Sequence, residues 1–167
     1  QIDKNKRVLG VIRPTTEIVG KYTKTGHVGV LGTTGTVTSD SYAIEIDKFF
    51  PEIKVQQEAC PIWVPLVENN EFENEGADFF VKKNIQNLLR KDKKIDAIIL
   101  GCTHYPLLLK KIKKHLPKGI KVISQGEIVA QSLSDYLKRH PGMEKKCSKG
   151  GEIRFYTTDS AYNFDMS

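Results

Sequence analysis

Gly101-Cys-Thr-His-Tyr-Pro106 places a thiol two residues from an imidazole, directly after the apolar run Ile95-Asp-Ala-Ile-Ile-Leu100. Cysteine chemistry runs through the thiolate, which a helix N-terminus and a neighbouring imidazole favour; a thiolate can act as nucleophile or as base. Pro106 suits the first turn of a helix, so the segment reads as strand, short loop, helix. A second segment of this kind is Gly32-Thr-Thr-Gly-Thr36, after the apolar His27-Val-Gly-Val-Leu-Gly32. Small hydroxyl residues and free backbone N–H groups ahead of a helix suit a carboxylate or a phosphate. Such Thr/Gly turns are also common connectors, so the Cys102–His104 pair is the more informative of the two. Cys60 and Cys147 have no comparable neighbours and read as structural or incidental thiols.

These loops need a scaffold, and the chain supplies short apolar strands alternating with amphipathic helices. That pattern predicts an α/β fold with a parallel sheet, whose ligands lie beyond the carboxyl ends of the strands. Strands are expected at His27–Gly32, Ile53–Gln57, Lys94–Gly101, Ile120–Ile123 and Glu152–Tyr156. The Lys94–Gly101 strand should be central, because it is apolar along most of its length. A helix capped by Ser39 or Asp40 should bury Tyr42, Ile46 and Phe49. A second, over 76–91, should bury Val81, Ile85, Leu88 and Leu89. A third begins near Pro106, with Leu108, Ile112 and Leu116 inward, and ends at Pro117-Lys-Gly119. A fourth covers about 126–140. Cys60-Pro-Ile-Trp-Val-Pro65 reads as irregular, and 140–151, rich in Gly, Pro and Lys, as an exposed loop.

The 167 residues carry 26 Lys+Arg against 20 Asp+Glu, a net charge of +6. Between Val81 and Lys121 stand 12 basic and 2 acidic side chains, 12 − 2 = +10. Such a stretch could bind nucleic-acid phosphates, but its lysines fall opposite the apolar positions of two helices, with little Arg and no interleaved aromatics. Solvated helix faces are the expectation, and no nucleic-acid partner. No run approaches the ~20 apolar residues of a membrane span. Gln1-Ile-Asp-Lys-Asn-Lys-Arg7 has no apolar core behind its basic residues, so no secretory signal is expected. An odd number of cysteines without a CxxC pair points to reduced thiols in a cytoplasmic setting, and the four histidines lack zinc-site spacing. Gln1 is not an initiator Met, so more chain is expected upstream.

Gly101-Cys-Thr-His-Tyr-Pro-Leu-Leu108 resembles the second active-site motif of glutamate racemase, in the aspartate/glutamate racemase superfamily. The resemblance continues through Gly10-Val-Ile12 before Pro14, Val30-Leu-Gly-Thr-Thr-Gly-Thr-Val-Thr-Ser39, Ala59-Cys-Pro-Ile-Trp-Val-Pro-Leu-Val-Glu68 and Ile120-Lys-Val-Ile-Ser-Gln-Gly-Glu127, in order along the chain. Superfamily relatives acting on other acids often carry Glu at the His104 position. The resemblance implies racemisation of L- and D-glutamate without cofactor or metal, by two cysteines that flank the α-carbon, one as base and one as acid. It makes Cys102 one of the two, gives His104 a part in its proton transfer, Glu68 a part in proton handling, and Thr103, His104, Thr33 and Thr36 contact with substrate. It further implies supply of D-glutamate for peptidoglycan, and it allows a homodimer.

The resemblance also defines what this sequence lacks. The family's first lobe opens on an Asp-Ser-Gly-type loop and later carries the opposing cysteine in a Cys-Asn-Thr loop, and neither occurs here. The expectation is therefore a second α/β lobe over 8–117 and a return segment of the incomplete first lobe over 118–167, inactive alone. Ser124-Gln125 departs from the Asp-Ser or Asp-Pro often found in relatives, and a late strand is expected at Tyr162-Asn-Phe164. Two other classes compete. A hydrolase would use Cys102 as nucleophile and His104 as base, against the difficulty that residues two apart at a strand end rarely present both side chains. A basic nucleic-acid-binding module would rest on the lysine-rich stretch.

Overall fold

The computed structural model describes residues 9–156 and 158. The expected Tyr162–Phe164 strand lies outside them. In chain order the elements are α1 (Ile12–Thr16), a 3-10 turn (Val19–Lys21), β1 (His27–Gly32), α2 (Thr34–Thr38), α3 (Ser41–Phe49), β2 (Lys54–Ala59), α4 (Trp63–Glu68), α5 (Glu75–Lys91), β3 (Ala97–Leu100), a 3-10 turn (Tyr105–Leu108), α6 (Leu109–His115), β4 (Lys121–Ile123), α7 (Gly126–Arg139) and α8 (Pro141–Glu144). The four strands form one parallel sheet in the order β2-β1-β3-β4.

The two inner strands explain their own composition. Successive side chains of a strand point to opposite faces. Leu31, Ile98 and Leu100 therefore join one core with Val81, Ile85 and Leu88 of α5 and Ile112 of α6. Val28, Val30, Ala97 and Ile99 face the other side, against Tyr42 and Ile46 of α3. With both faces covered, an inner strand has no polar side to show, which is why β1 and β3 read as nearly unbroken apolar runs. Helix α5 opens on Asn74, whose side chain accepts from the Ala77 backbone N–H at 2.8 Å. Such a cap satisfies a donor that the first helical turn leaves over.

Several expectations need correction. Thr33–Thr36 is not a plain turn: Thr33 caps the short helix α2. Cys60–Pro65 is not irregular throughout, since α4 starts at Trp63. Pro65 falls in the first turn, where a missing N–H costs no helical hydrogen bond. Asp40 precedes α3 but makes no side-chain cap, because its backbone is left-handed at φ 52°. Glu152–Tyr156 forms no strand, and Ile153, Phe155 and Tyr156 are exposed. The 140–151 segment is exposed in its larger part but holds the short helix α8.

The chain divides into compact units at 129/130. Strand β4 pairs with β3 in parallel, Ala97 opposite Lys121 and Ile99 opposite Ile123, and so belongs to the first unit. The second unit holds the rest of α7 and α8, with no buried residue in either helix.

The lysine-rich stretch has structural work. Lys91 donates to the Glu58 carboxylate at 2.8 Å and to the Gln57 carbonyl at 2.6 Å. Lys111 donates to the carbonyls of Glu73 and Asn74, both at 2.9 Å, and Lys114 pairs with Asp78 at 3.0 Å. Among the described residues no helix is long and apolar enough to cross a membrane.

Candidate active site

A parallel sheet puts the carboxyl ends of its strands on one edge, and the sequence-predicted residues lie along that edge. Leu31 and Leu100 are register partners, so Thr33 and Cys102 each stand two residues past a paired position on neighbouring strands. The Gly101 N–H donates to the Leu31 carbonyl at 2.8 Å, which holds the loop close to β1 as it leaves the sheet. A Cβ on Gly101 would stand 3.1 Å from that carbonyl oxygen and 3.1 Å from the Tyr42 ring, so only glycine fits this approach without displacement.

Beyond Gly101 three side chains form a line. Cys102 Sγ lies 3.7 Å from His104 Nδ1, within hydrogen-bond reach for sulfur. His104 Nε2 lies 3.3 Å from Glu68 Oε1, at the last residue of α4. The imidazole therefore stands between a thiol and a carboxylate, one ring nitrogen toward each. His104 and Glu68 keep 34% and 60% of their side-chain exposure. A pair so open to water is worth only about 0–1 kcal/mol. Its geometry is of more use for moving a proton than for holding the fold. The objection that residues two apart would not present both side chains fails here, because the loop turns back into the 3-10 helix and brings Nδ1 round to the sulfur.

The other expected residues sit differently. Thr33 and Thr36 are partly buried, their hydroxyl oxygens 2.9 Å apart, and Thr33 Oγ1 also accepts from the Thr36 N–H at 3.3 Å. They bond each other at the end of β1 rather than joining the Cys102 line. Thr103 is exposed at the rim. Cys60 is fully buried, and burial, reinforced by the Glu58 charge, pushes its thiol far up, so it stays protonated. Cys147 is exposed, in the second unit.

Sequence reading missed the supports. Gln125, noted only as a departure from relatives, donates to the Leu100 carbonyl at 2.9 Å and accepts from the Thr15 hydroxyl at 3.2 Å. It thereby pins the end of β3 just ahead of Cys102. Tyr42 lies under the same loop; burial pushes its phenol up, a Gln125 hydrogen bond opposes this, and the Cys102 thiol adds to it. On the other side of the line, Trp63 donates from Nε1 to Asn84 Oδ1 at 3.0 Å, and Asn84 donates to Glu58 Oε1 at 3.0 Å and to the Ala59 carbonyl at 3.2 Å. Desolvation pushes the Glu58 carboxyl up, but the donors Lys91, Asn84 and Asn87 outweigh it and hold it below the usual range. A polar residue inside an otherwise apolar helix face, as Asn84 is between Val81 and Ile85, was the available signal of this network.

Comparison with known proteins adds the family. Residues 6–133 match the family described as Asp/Glu/Hydantoin racemase. The chain belongs to that family. Within it, the chain resembles glutamate racemases. It is 39% identical over 157 residues to the glutamate racemase of Streptococcus suis, covering 94% of this chain and 58% of that protein. The crystal structure of a Bacillus anthracis glutamate racemase superposes with a TM-score of 0.75 at 38% identity, over 81% of this chain and 50% of the other. That of the Francisella tularensis enzyme, in complex with D-glutamate, superposes with a TM-score of 0.80 at 31% identity, over 96% of this chain and 58% of the other. The chain thus spans under two thirds of the length of these racemases, and it shares their α/β fold.

Proposed function

We propose that this chain serves one face of the substrate's α-carbon in a cofactor-independent glutamate racemase. The observation that carries the reading is the line Cys102–His104–Glu68 at the carboxyl edge of a parallel sheet, in a member of this family. Racemisation breaks the α-C–H bond on one face and forms it on the other. In one direction the Cys102 thiolate takes the α-proton as an S–H bond, while an opposing thiol gives its proton to the carbanion. In the reverse direction Cys102 is the donor. His104 carries a proton between the sulfur and Glu68, which is open to water, so the thiol is reset between turnovers.

Cys60 is buried and held protonated, and Cys147 lacks the Cys-Asn-Thr setting that the family resemblance gives the opposing cysteine. That thiol is therefore assigned to the part of the relatives' length that this chain does not span. The names of the relatives support glutamate as the substrate. In this reading Thr33, Thr36, Thr103 and His104 contact its carboxylate and ammonium groups, as the family resemblance implies. The product D-glutamate would enter peptidoglycan synthesis in the cytoplasm. Racemisation of L- and D-glutamate, followed by circular dichroism, tests the reading. The longer protein containing this chain should interconvert the enantiomers, its Cys102→Ala variant should not, and the 167-residue chain alone should give no turnover. Turnover by the isolated chain would overturn the assignment of the opposing cysteine.

The 3.7 Å thiol–imidazole approach also suits a Cys–His hydrolase. Acyl-enzyme trapping at Cys102 discriminates the two, and family membership favours the racemase.

A further inference from the structure

Glu68 reaches His104 only because α4 is held at a set distance from the Cys102 loop, and one carbonyl joins the two. The backbone N–H of Trp63, first residue of α4, donates to the Cys60 carbonyl at 3.2 Å. Tyr105, the residue after His104, donates its hydroxyl to the same carbonyl at 3.1 Å. Both side chains are fully buried, and the rings stand edge-on, 4.7 Å between centroids at 62°. Burial pushes the Tyr105 phenol far up, with the Cys60 and Cys102 thiols adding to it. The hydroxyl therefore remains a donor across the range in which thiols and imidazoles ordinarily titrate.

We propose that Tyr105 is a positioning residue: its hydroxyl, on the carbonyl it shares with Trp63, sets the spacing between His104 and Glu68 and so the hold of the imidazole on Cys102. This rests on the reading of Cys102, His104 and Glu68 as the proton-handling line. Tyr105 touches no reacting atom and acts through Glu68. A residue that merely filled the core would affect stability without any coupling to the Glu68 carboxylate.

The test is the pH profile of Cys102 alkylation by iodoacetamide in the purified 167-residue chain, with Cys147→Ser removing the exposed thiol and Cys60 shielded by burial. The ionisable groups facing Cys102 are His104 from its own loop, Tyr42 from α3, and Cys60 and Tyr105 from the core side. Burial keeps the last three protonated, so the profile responds through His104 and the Glu68 behind it. Glu68→Gln withdraws the carboxylate behind His104 and is expected to slow alkylation at pH 7 about threefold. Tyr105→Phe should slow it by a similar factor in the parent and by almost nothing in the E68Q background.

Equal slowing by Tyr105→Phe in both backgrounds, or none in the parent, would overturn the proposal and leave the proton-handling line intact. No effect of Glu68→Gln would remove the line itself, and the role of Tyr105 with it. Tyr105→Phe keeps the ring against Trp63, and the Cys60 carbonyl keeps one donor. Emission from Trp63, the single tryptophan, checks that the variant is folded. Should it not fold, Trp63→Phe weakens the edge-on packing that holds the Tyr105 ring beside the carbonyl while leaving the backbone donor in place, with the same background dependence expected and folding followed by circular dichroism.

Discussion

Replacing Asn84 by Leu tests how much of the site's support is a hydrogen-bond network rather than apolar packing. Leu is close to Asn in size, so the change leaves little cavity and isolates the polar terms. Trp63 Nε1 loses its acceptor inside the core, and a buried donor left unpaired costs about 1–3 kcal/mol. Glu58 keeps Lys91 and Asn87 but loses one of its donors, and a hydrogen bond to a charged group is worth about 1.5–3 kcal/mol. Additional apolar area in the variant returns about 1 kcal/mol. The net loss should be about 3 kcal/mol, or about 6–12 °C in Tm for a chain of this size. Urea and thermal unfolding, followed by Trp63 emission, measure it. Because the Trp63 donor and the Asn84 acceptor are partners, the double variant Asn84→Leu/Trp63→Phe, followed by circular dichroism, should lose less than the sum of the single changes. A loss under about 1 kcal/mol, or strict additivity in the double variant, would refute the claim that this network supports α4.

Other expectations follow from the same geometry. Gly29→Ala places a Cβ 2.7 Å from Leu88 Cδ2 and 3.2 Å from Ile98 Cγ1, and should cost about 1–3 kcal/mol in urea unfolding by pushing α5 off the sheet. Glu58 and Asp96 resist desolvation through their donors and are held below their ordinary ranges; Asp96 accepts from the Thr23 hydroxyl and from the Lys24 and Thr25 N–H groups. A lowered carboxyl stabilises the fold above its unfolded value of about 4 and loses that contribution as pH falls through the folded value. Stability should therefore drop on acidification below about pH 4, and Asp96→Asn should flatten that limb in denaturant titrations across pH. Thiol counting should find Cys147 and Cys102 reactive in the native chain and Cys60 only after unfolding.

The inner strands were legible because a strand buried on both faces has to be apolar at every position, as β1 and β3 are. Helix α5 was legible because its apolar residues recur at helical spacing. What misled the reading was local. Pro65 suggested an irregular segment, since a sequence does not say whether a proline falls in a first turn, where it is harmless, or later, where it breaks the helix. Ile153 and Phe155 alternate with polar Glu152 and Arg154 as in a strand, yet a strand exists only where a neighbour accepts its hydrogen bonds. In the site, Cys102 and His104 were visible through their spacing. The approach of Glu68 depends on how α4 packs against the Cys102 loop, and only the resemblance to glutamate racemases pointed to it beforehand. Tyr105, Gln125 and Asn84 act across long sequence separations, which no local pattern encodes.

Handling of the α-proton by Cys102 on one face of glutamate is the central proposal. Deuterium entry at the α-carbon, read by proton NMR in D2O with the longer protein and each glutamate enantiomer in turn, tests this most directly. The parent protein should exchange the α-proton and interconvert the enantiomers. Cys102→Ala should stop the interconversion from both directions, because one face is left without an acid or base. Racemisation by Cys102→Ala at a rate near that of the parent would contradict the account.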